Sequence, residues 1–504
     1  MSSRTALWLC GTALVLGLVG DQLLRGGPEE GAGAALWLVL SIGTALAVAR
    51  VTKQPDFATL APLFLTAAFF AACLAWREAP MLKGWDVLAT GTALALGLLA
   101  LRNVRLWSAG LLAYVTGAAG AILRAAVGPI LLLGTDLLDS AAGRGPSQRT
   151  RALAVGVIVT IPIIIVFGVL LASADPVFER LARFVVVWDF ERLLSHLLVI
   201  GFLSWVAAGY LRSVVVRSAE RSDFVVKVPV PAWGAIEIGV PLGALTVLFL
   251  AFVIVQARYL FGGDDLIRTT VGLTYAEYAR RGFFELVTVA GLVLPLLLAA
   301  ELALRPNDHL ATRVFRALAA AILVLVGLII ASAAYRLRIY HVAYGWTHDR
   351  LYAAAVMVWI ASALAWFGAT VLRGQGPRFM LGAIVAGFAV VAAMNVLNPD
   401  AVIARTNLAR AVRGEELDTS YLLRLSADAT GVLAAAVPGL GTADRCAIVR
   451  QLAADDRDRR EADWRSWSLG RSRADRAFQS ISSVLPSCPA AAEEDADSTR
   501  APRL

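Results

Sequence analysis

The sequence predicts an all-α protein: a polytopic transmembrane helix bundle of about 12 spans, followed by a small helical C-terminal extramembrane domain. Three observations predict this fold. Apolar runs of about 18 to 25 residues, long enough to cross a bilayer as helices, follow one another as far as residue 397. The composition is 58% hydrophobic and 17% charged, with a mean hydropathy of +0.69. Beyond residue 397 charged residues become frequent and the long apolar runs stop.

The apolar runs define the predicted spans in chain order. A window of about 19 residues places them near 5–24, 32–50, 57–76, 84–101, 107–133, 152–173, 191–211, 237–258, 282–304, 314–335, 350–372 and 378–396. Prolines at 62, 162, 241 and 295 fall within runs and predict kinks, because proline removes an intrahelical hydrogen bond.

Four parts of the chain follow from this pattern. Residues 1–133 are predicted to form about five N-terminal spans, and residues 134–397 a main bundle of about seven. Residues 398–488 carry short amphipathic helical patterns and are predicted to form a helical tail outside the membrane. Residues 489–504 are acidic, rich in alanine and without apolar periodicity, which predicts disorder.

Arginine counting predicts the orientation. The connections 140–151, 212–231, 305–316 and 373–378 are rich in arginine, which favours the cytoplasmic side and places the tail outside. An even number of spans would put the N-terminus outside as well. Only Lys53, Lys83 and Lys227 are lysine among 46 basic residues, which is typical of a GC-rich bacterial genome, so we expect a bacterial plasma membrane protein.

The net charge and the sequence motifs limit the possible partners and cofactors. A net charge of +8 spread over loops fits contacts with anionic membrane lipids and not with nucleic acid. The outward loops and the tail are the expected surface for a protein partner. The sequence contains no phosphate-binding glycine loop, HExxH or GxSxG motif, and we predict no metal or cofactor. Cys446 and Cys488 could form a disulfide if the tail faces an oxidising compartment.

The strongest local signal precedes the ninth run. Thr274 and Glu277 form a capping-box pattern, which predicts a helix start. Glu277, Arg281 and Glu285 recur at i, i+4 and i+8 on one helical face. A carboxylate at position 285 would lie inside the membrane, where such groups mark functional sites unless a cation neutralises them as structural glue. Both interpretations remain open at this stage.

Two further segments contribute candidate residues for a functional site. Gly262-Gly263 with Asp264-Asp265 predicts a sharp, solvated turn that could offer oxygen ligands to a cation. Residues 335–350 predict a short surface helix with aromatic residues at the lipid interface and Thr347 capping the next span. His341 and His348 lie seven residues apart, too far along one helix to share a metal. The predicted polar cluster comprises Arg258, Tyr259, Asp264, Asp265, Tyr275, Glu277, Tyr278, Arg280, Arg281, Glu285, Arg336, Arg338, Tyr340 and Arg350.

Three runs carry a resemblance to a known family: 258–263 (RYLFGG), 273–286 (LTYAEYARRGFFEL) and 398–401 (NPDA). They resemble an uncharacterised family of bacterial multi-pass membrane proteins, a domain of unknown function numbered 4173 and related to 4153. The resemblance covers roughly residues 150–430 and leaves the first four spans outside. It implies the membrane class and no activity.

Three functions are compatible with the sequence. The first is a cell-envelope docking protein that binds a protein or lipid through its loops and tail. The second is a transporter or channel with a polar path between spans eight and eleven. The third is a membrane enzyme acting on a lipid-linked substrate, with Glu277 or Asp264 as acid or base.

Overall fold

The structure is a computed structural model that describes residues 3–25, 31–52, 57–101, 104–133, 190–216, 232–261 and 283–488, with Gly156, Thr160 and Leu171 between them. The predicted sixth span and the C-terminal segment 489–504 lie outside this described part, apart from those isolated residues. Within it, regular structure is helical throughout except for one isolated β-bridge between Trp233 and Leu304.

Eleven helices precede residue 398 in the described chain. They are α1 (Ser3–Leu23), α2 (Ala32–Val51), α3 (Phe57–Cys73), α4 (Pro80–Ala100), α5 (Leu111–Leu131), α6 (Phe190–Val215), α7 (Ala235–Phe261), α8 (Phe283–Leu302), α9 (His309–Tyr344), α10 (His348–Thr370) and α11 (Phe379–Leu397). The tail adds α12 (Pro399–Ala411), α13 (Thr419–Leu422), α14 (Thr430–Ala436), α15 (Thr442–Glu461) and α16 (Leu469–Gln479). Short 3-10 helices lie at Leu106–Ser108, Gly376–Arg378, Ala427–Ala429, Val437–Gly439, Trp464–Ser466 and Ser482–Ser487.

The predicted fold class, a helical membrane bundle, is confirmed. Nine described helices are long and apolar enough to cross a bilayer, namely α1, α2 and α5 to α11. The helix α3 is apolar but only 17 residues long, and α4 carries Lys83 and Asp86 in its first two turns. The described residues therefore contain nine clear spans where the sequence predicted about twelve along the whole chain.

The segment after the tenth predicted span differs from expectation. Instead of a separate surface helix near residues 337–344, one continuous helix of 36 residues runs from His309 to Tyr344. No glycine or proline interrupts residues 335–344, so nothing breaks the backbone hydrogen bonds before Gly345, whose φ is 75°. The next helix, α10, begins after Thr347, whose side chain makes no capping hydrogen bond.

The helices pack around three apolar cores. The first core gathers buried residues of α1 to α6, where α1 lies against α6 and α3 against α4. The second gathers α7 to α11, with α7 against α9. The third lies within the tail. A smaller buried cluster, formed by Ala79, Leu82, Tyr352, Ala355 and Met394, joins α4 to α10 and α11.

The tail lies at one end of the bundle, and α1 begins at the other. Arg465 in the tail donates a hydrogen bond of 2.6 Å to the carbonyl of Gln22, at the C-terminal end of α1. The 21 residues of α1 extend about 30 Å, so its first turn lies at the opposite end from the tail. The expectation that the N-terminus and the tail share one side is therefore wrong.

Helices α5 and α6 approach each other through glycine. A Cβ atom at Gly209 would overlap the carbonyl oxygen of Ala125, whereas one at Gly201, on the same helix, would meet nothing within 4 Å. Small residues permit this close approach, which is how helices gain packing energy in a membrane.

We predict that Gly209→Ala destabilises the bundle by about 1–3 kcal/mol, because the added methyl group must push α5 away. Gly201→Ala is the matched control and should leave the unfolding temperature unchanged or slightly raised. Thermal unfolding of the two variants in the same detergent measures the difference, and equal unfolding temperatures would contradict the close packing described for Gly209.

Candidate functional site

Polar side chains concentrate where the tail meets the ends of α3, α4, α10 and α11. We call this set the junction. It comprises Arg77, Glu78, Asp86, His348, Tyr352, Asn395, Asp400, Tyr421, Asp428 and Arg471. Several of these side chains are almost completely buried, and buried polar groups of this kind need partners.

The sequence Asn398-Pro399-Asp400 turns the chain directly from the membrane into the tail. Asn398 adopts a left-handed conformation at the end of α11, and its side-chain oxygen accepts a hydrogen bond of 3.3 Å from the backbone of Ala401. Pro399 occupies the first turn of α12, where its missing N–H costs nothing. This turn places Asp400 in the first turn of α12, beside the start of α10.

Arg77 links the bundle to the tail. Its Nε donates a hydrogen bond of 2.7 Å to the backbone carbonyl of Asn395, and its Nη1 lies 3.8 Å from the carboxylate of Asp428. The side chains of Arg77 and Asp428 are 6% and 2% exposed. At this degree of burial each charge depends on the other.

Glu78 adds a second ionic contact beside the first. Its backbone N–H donates to Asp428 at 2.6 Å, and its carboxylate lies 3.2 Å from Nε of Arg471 in the tail. On its other side, Lys83 of α4 lies 3.3 Å from the same carboxylate. A Cβ atom at Gly470 would lie 2.6 Å from the Asp428 carboxylate, so only glycine permits this approach of α16.

His348 forms the third contact, at the start of α10. Its Nε2 lies 2.7 Å from the carboxylate of Asp400, and its Nδ1 lies 3.2 Å from the hydroxyl of Tyr421. With the Nε2–H tautomer, which we assign from these partners, His348 donates to Asp400 and accepts from Tyr421. The other oxygen of Asp400 accepts from the backbone N–H of Ser426 at 2.8 Å.

The surroundings shift the ionisation of the junction groups in different directions. Burial raises the pKa of Asp400, but hydrogen bonds from His348 and Ser426 outweigh it and hold the pKa below its usual range. Burial raises the pKa of Asp428, and the Glu78 N–H and Arg77 offset this only in part. Burial also lowers the pKa of Arg77, against the opposing pull of Asp428.

Asp86 and Asn395 form the deepest contact of the junction. Asp86 lies in the second turn of α4 and Asn395 in the last turn of α11, and both are 0% exposed. The Asn395 amide donates to Asp86 at 2.7 Å and to the carbonyl of Val391 at 3.1 Å. Trp85 and Tyr352 pack edge to face beside them, with ring centroids 5.0 Å apart.

Most of the polar cluster predicted from the sequence lies outside the described residues or is only partly described. Arg258 and Tyr259 lie in the last turn of α7, without a description of their side chains. The residues outside the described part are Asp264, Asp265, Tyr275, Glu277, Tyr278, Arg280 and Arg281. The predicted capping box lies there as well. Convergence of these residues therefore stays a prediction.

The remaining members of that cluster lie on α8 to α10. Glu285 is exposed in the first turn of α8, and Arg338 is exposed on α9, whereas Arg336 is buried. Tyr340 and Arg350 do come together, with the guanidinium 3.8 Å from the ring centroid. Arg350 also donates to the carbonyls of Tyr344 and Gly345 at the end of α9, so it closes the turn between α9 and α10.

The tail contains a disulfide bond between Cys446 and Cys488. It joins the first turn of α15, where Cys446 is buried, to the last described residue of the chain. Such a bond restricts the unfolded chain and stabilises a small domain by about 2–4 kcal/mol.

A groove and a second polar cluster complete the described features. The groove, of about 360 Å³, lies between α4, α10 and α11 and is lined mainly by apolar side chains such as Leu88, Trp359 and Ile384. In the second cluster, the carboxylate of buried Asp21 in α1 lies 2.5 Å from Nε of Arg25, just after α1, and 2.5 Å from Nδ1 of His196 in α6. No group of three His, Cys, Asp or Glu side chains suited to a metal occurs among the described residues.

Sequence reasoning missed most of the junction. The sequence pattern singles out His348 only as a possible metal ligand, and Asp400 only as part of the family resemblance. The signal that could have found the deepest contact is a polar pair within apolar runs, Asp86 near the start of the fourth and Asn395 near the end of the last. Arg77, Asp428 and Arg471 carried no comparable signal, because nothing in their local sequence shows that they meet.

The fold and the junction define a class of protein: an integral membrane protein in which a helical bundle carries a helical domain at one end. The chain belongs to the family described as Domain of unknown function (DUF4153), which matches residues 64–436. No curated protein and no solved structure matches the chain.

The extent of the family match corrects one expectation. The match begins at residue 64, within α3, so α4 belongs to it, although the sequence resemblance had left the first four spans outside. Residues 64–436 contain every junction residue except Arg471. The junction is therefore a feature of the matched region and not of an added segment.

We predict that Arg77→Ala destabilises the attachment of the tail by about 3–5 kcal/mol, because it leaves Asp428 buried without its cation. The double variant Arg77→Met/Asp428→Leu removes both charges and should regain much of that loss. Limited proteolysis of the tail in detergent micelles measures the attachment. Equal protection of the tail in wild type and Arg77→Ala would contradict the role assigned to Arg77.

A second prediction concerns acid pH. The pKa of Asp400 is held below its usual value of about 4, so the ionised form stabilises the tail at pH values above that range. This stabilisation is lost as the pH falls through the lowered pKa of the folded state. Asp400→Asn should be less stable near neutral pH and should lose less stability on acidification. Thermal unfolding from neutral to acid pH tests it, and parallel profiles for the two proteins would refute it.

Proposed function

We propose that the protein is a docking protein of the bacterial cell envelope. In this proposal the membrane bundle holds the helical tail at a fixed place on the membrane surface, and the tail binds a protein partner. The observation that carries the proposal is the junction, in which charged groups of the bundle and the tail are buried against each other.

The free-energy cost of burying the charged groups of the junction supports this proposal. Buried ion pairs contribute little net stability because removing charge from water is expensive, but they tolerate only one arrangement of their partners. The tail is also bound at separate points by the backbone. Ala32 of α2 donates to Trp467 at 2.8 Å, and Leu469 donates to Ala75 at 2.9 Å. A domain held at so many points is suited to presenting a surface in a constant orientation.

The charge distribution supports a tail on the outer side. The end of the bundle opposite the tail carries many basic residues, in connections and in the adjoining helix turns, including Arg212, Arg305, Arg313, Arg316, Arg373 and Arg378. Such an excess favours the cytoplasm. The disulfide in the tail fits the oxidising side of the membrane. The scarcity of lysine supports a bacterial source.

The alternatives gain less support from the described residues. Transport needs a polar path, whereas the described groove between α4, α10 and α11 is lined mainly by apolar side chains. Catalysis needs accessible groups, whereas the carboxylates of Asp86, Asp400 and Asp428 are buried against the partners named above.

The surface we assign to the partner lies just beyond α12. Val412 is 89% exposed, the highest value among the large apolar side chains described. Glu415 and Glu416 follow it and are also exposed. Arg413 is exposed here too, and Glu415 lies 3.5 Å from Arg410. An apolar side chain among charges of both signs fits a protein partner with an apolar contact and a polar rim around it.

The test is site-specific photo-crosslinking in living cells of the native species. A photoreactive side chain at position 412 should give one discrete protein adduct, because it lies at the proposed binding surface. The matched control is position 240 on α7, where Val240 is 66% exposed on a membrane span and should give no protein adduct.

The junction provides the second control. Arg77→Ala should weaken the adduct from position 412 at equal expression, because the tail is no longer held in place. Absence of an adduct at position 412, or the same set of adducts from positions 412 and 240, would contradict a docking function.

A further inference from the structure

Two oxygen atoms in the deepest part of the junction lack a hydrogen-bond donor among the described residues. They are Oδ2 of Asp86 and Oδ1 of Asn395. Both belong to side chains that are 0% exposed. The two side chains are already joined, because Nδ2 of Asn395 donates to Oδ1 of Asp86 at 2.7 Å. Unsatisfied buried oxygens are costly, so a pair of them on joined side chains calls for a ligand.

The chemistry of the pair specifies that ligand. An ionised carboxylate and an amide oxygen are both acceptors, so neither can satisfy the other. One proton on Oδ2 of Asp86 turns it into a donor, and Oδ1 of Asn395 is the acceptor it lacks. A metal ion is a poor alternative, since no group of three suitable ligand side chains occurs in the described residues.

The surroundings favour the neutral acid. Leu82, Met394 and the ring of Tyr352 form a buried cluster beside the pair. Cys73 and Tyr352 are the titratable groups that interact electrostatically with Asp86, and Arg77, Asp400 and Asp428 each interact in turn with one of these two groups. Arg77 is the cation among them, and its guanidinium is directed to the Asn395 carbonyl and to Asp428.

We infer that Asp86 is a proton-binding site, in which the carboxyl group binds a proton from water and holds it near neutral pH as a donor to Asn395. The proton is taken up as the chain folds and buries α4, and no other group need change its charge. Within a membrane protein such a neutral carboxylic acid avoids the high cost of an unpaired buried anion.

The site is coupled to the tail through Asn395 and Arg77. The side chain of Asn395 holds Asp86, and its backbone carbonyl holds Arg77, whose guanidinium binds Asp428 of the tail. Loss of the proton would put an anion beside the amide oxygen of Asn395 and disturb the residue whose backbone carbonyl holds Arg77 in place. The tail should therefore be held most tightly while Asp86 is protonated.

Infrared difference spectroscopy of the full-length protein in lipid nanodiscs tests the site. At about pH 7 the wild-type protein should show the carbonyl absorption of a protonated carboxylic acid, and Asp86→Asn should remove it. Asp456→Asn is the matched control, because Asp456 is also a buried carboxylate but is paired with Arg460 at 2.7 Å. Its substitution should leave the absorption intact.

Asn395→Ala provides a variant that keeps the carboxyl group. It should shift the same absorption to higher frequency, because the acid loses its acceptor. A wild-type spectrum without this absorption, or one that Asp86→Asn leaves unchanged, overturns the inference. An unfolding temperature that rises with sodium in wild type and not in Asp86→Asn, together with no acid absorption, would instead assign a sodium site and also overturn it.

Hydrogen exchange in α14 measures the coupling separately from any docking partner. In wild type the exchange rate should rise with pH as Asp86 loses its proton, and Asp86→Asn should remove that part of the rise. Identical corrected profiles in the two proteins overturn the coupling. These readouts do not involve position 412, so they fail independently of the proposed docking function.

Discussion

The attachment of the tail depends on Arg77, because this side chain satisfies two buried groups at once. It binds a backbone carbonyl at the end of the last membrane helix and a carboxylate of the tail. A charge in this position is stable only if both partners are present, because removing either one leaves a buried group uncompensated. The tail and the bundle therefore specify each other's position, and neither can shift without exposing a buried charge to an apolar neighbour.

Two other ionic contacts of the junction, His348–Asp400 and Glu78–Arg471, arise differently. His348 and Asp400 are joined across the turn at Asn398, so the same short sequence that ends α11 also supplies the partner of α10. Glu78 and Arg471 join parts of the chain that are far apart in sequence, through the close approach that Gly470 allows. A local turn positions Asp400 for the first contact, whereas the second depends on packing alone.

The fold was predictable to the extent that it depends on apolar run length. The helices α1, α2 and α10 begin and end close to the predicted spans, because a bilayer requires runs of that length. The continuity of α9 past residue 335 was not predicted, because polar residues were taken to end a helix that only Gly345 ends. The junction could be predicted only in part, since Asp86 and Asn395 are conspicuous in apolar runs whereas Arg77 and Asp428 are ordinary loop residues. Pairing between distant charges depends on how the helices pack, which a single sequence does not encode in any local pattern.

The length of α9 has a consequence for how the tail is supported. Its last ten residues, 335–344, continue the helix for about 15 Å beyond its long apolar stretch. Arg410 of the tail donates a hydrogen bond of 2.6 Å to the carbonyl of Ala343 in this extension. One unbroken helix therefore runs from the core of the bundle to the tail, so a tilt of its apolar part would also displace a support of the tail.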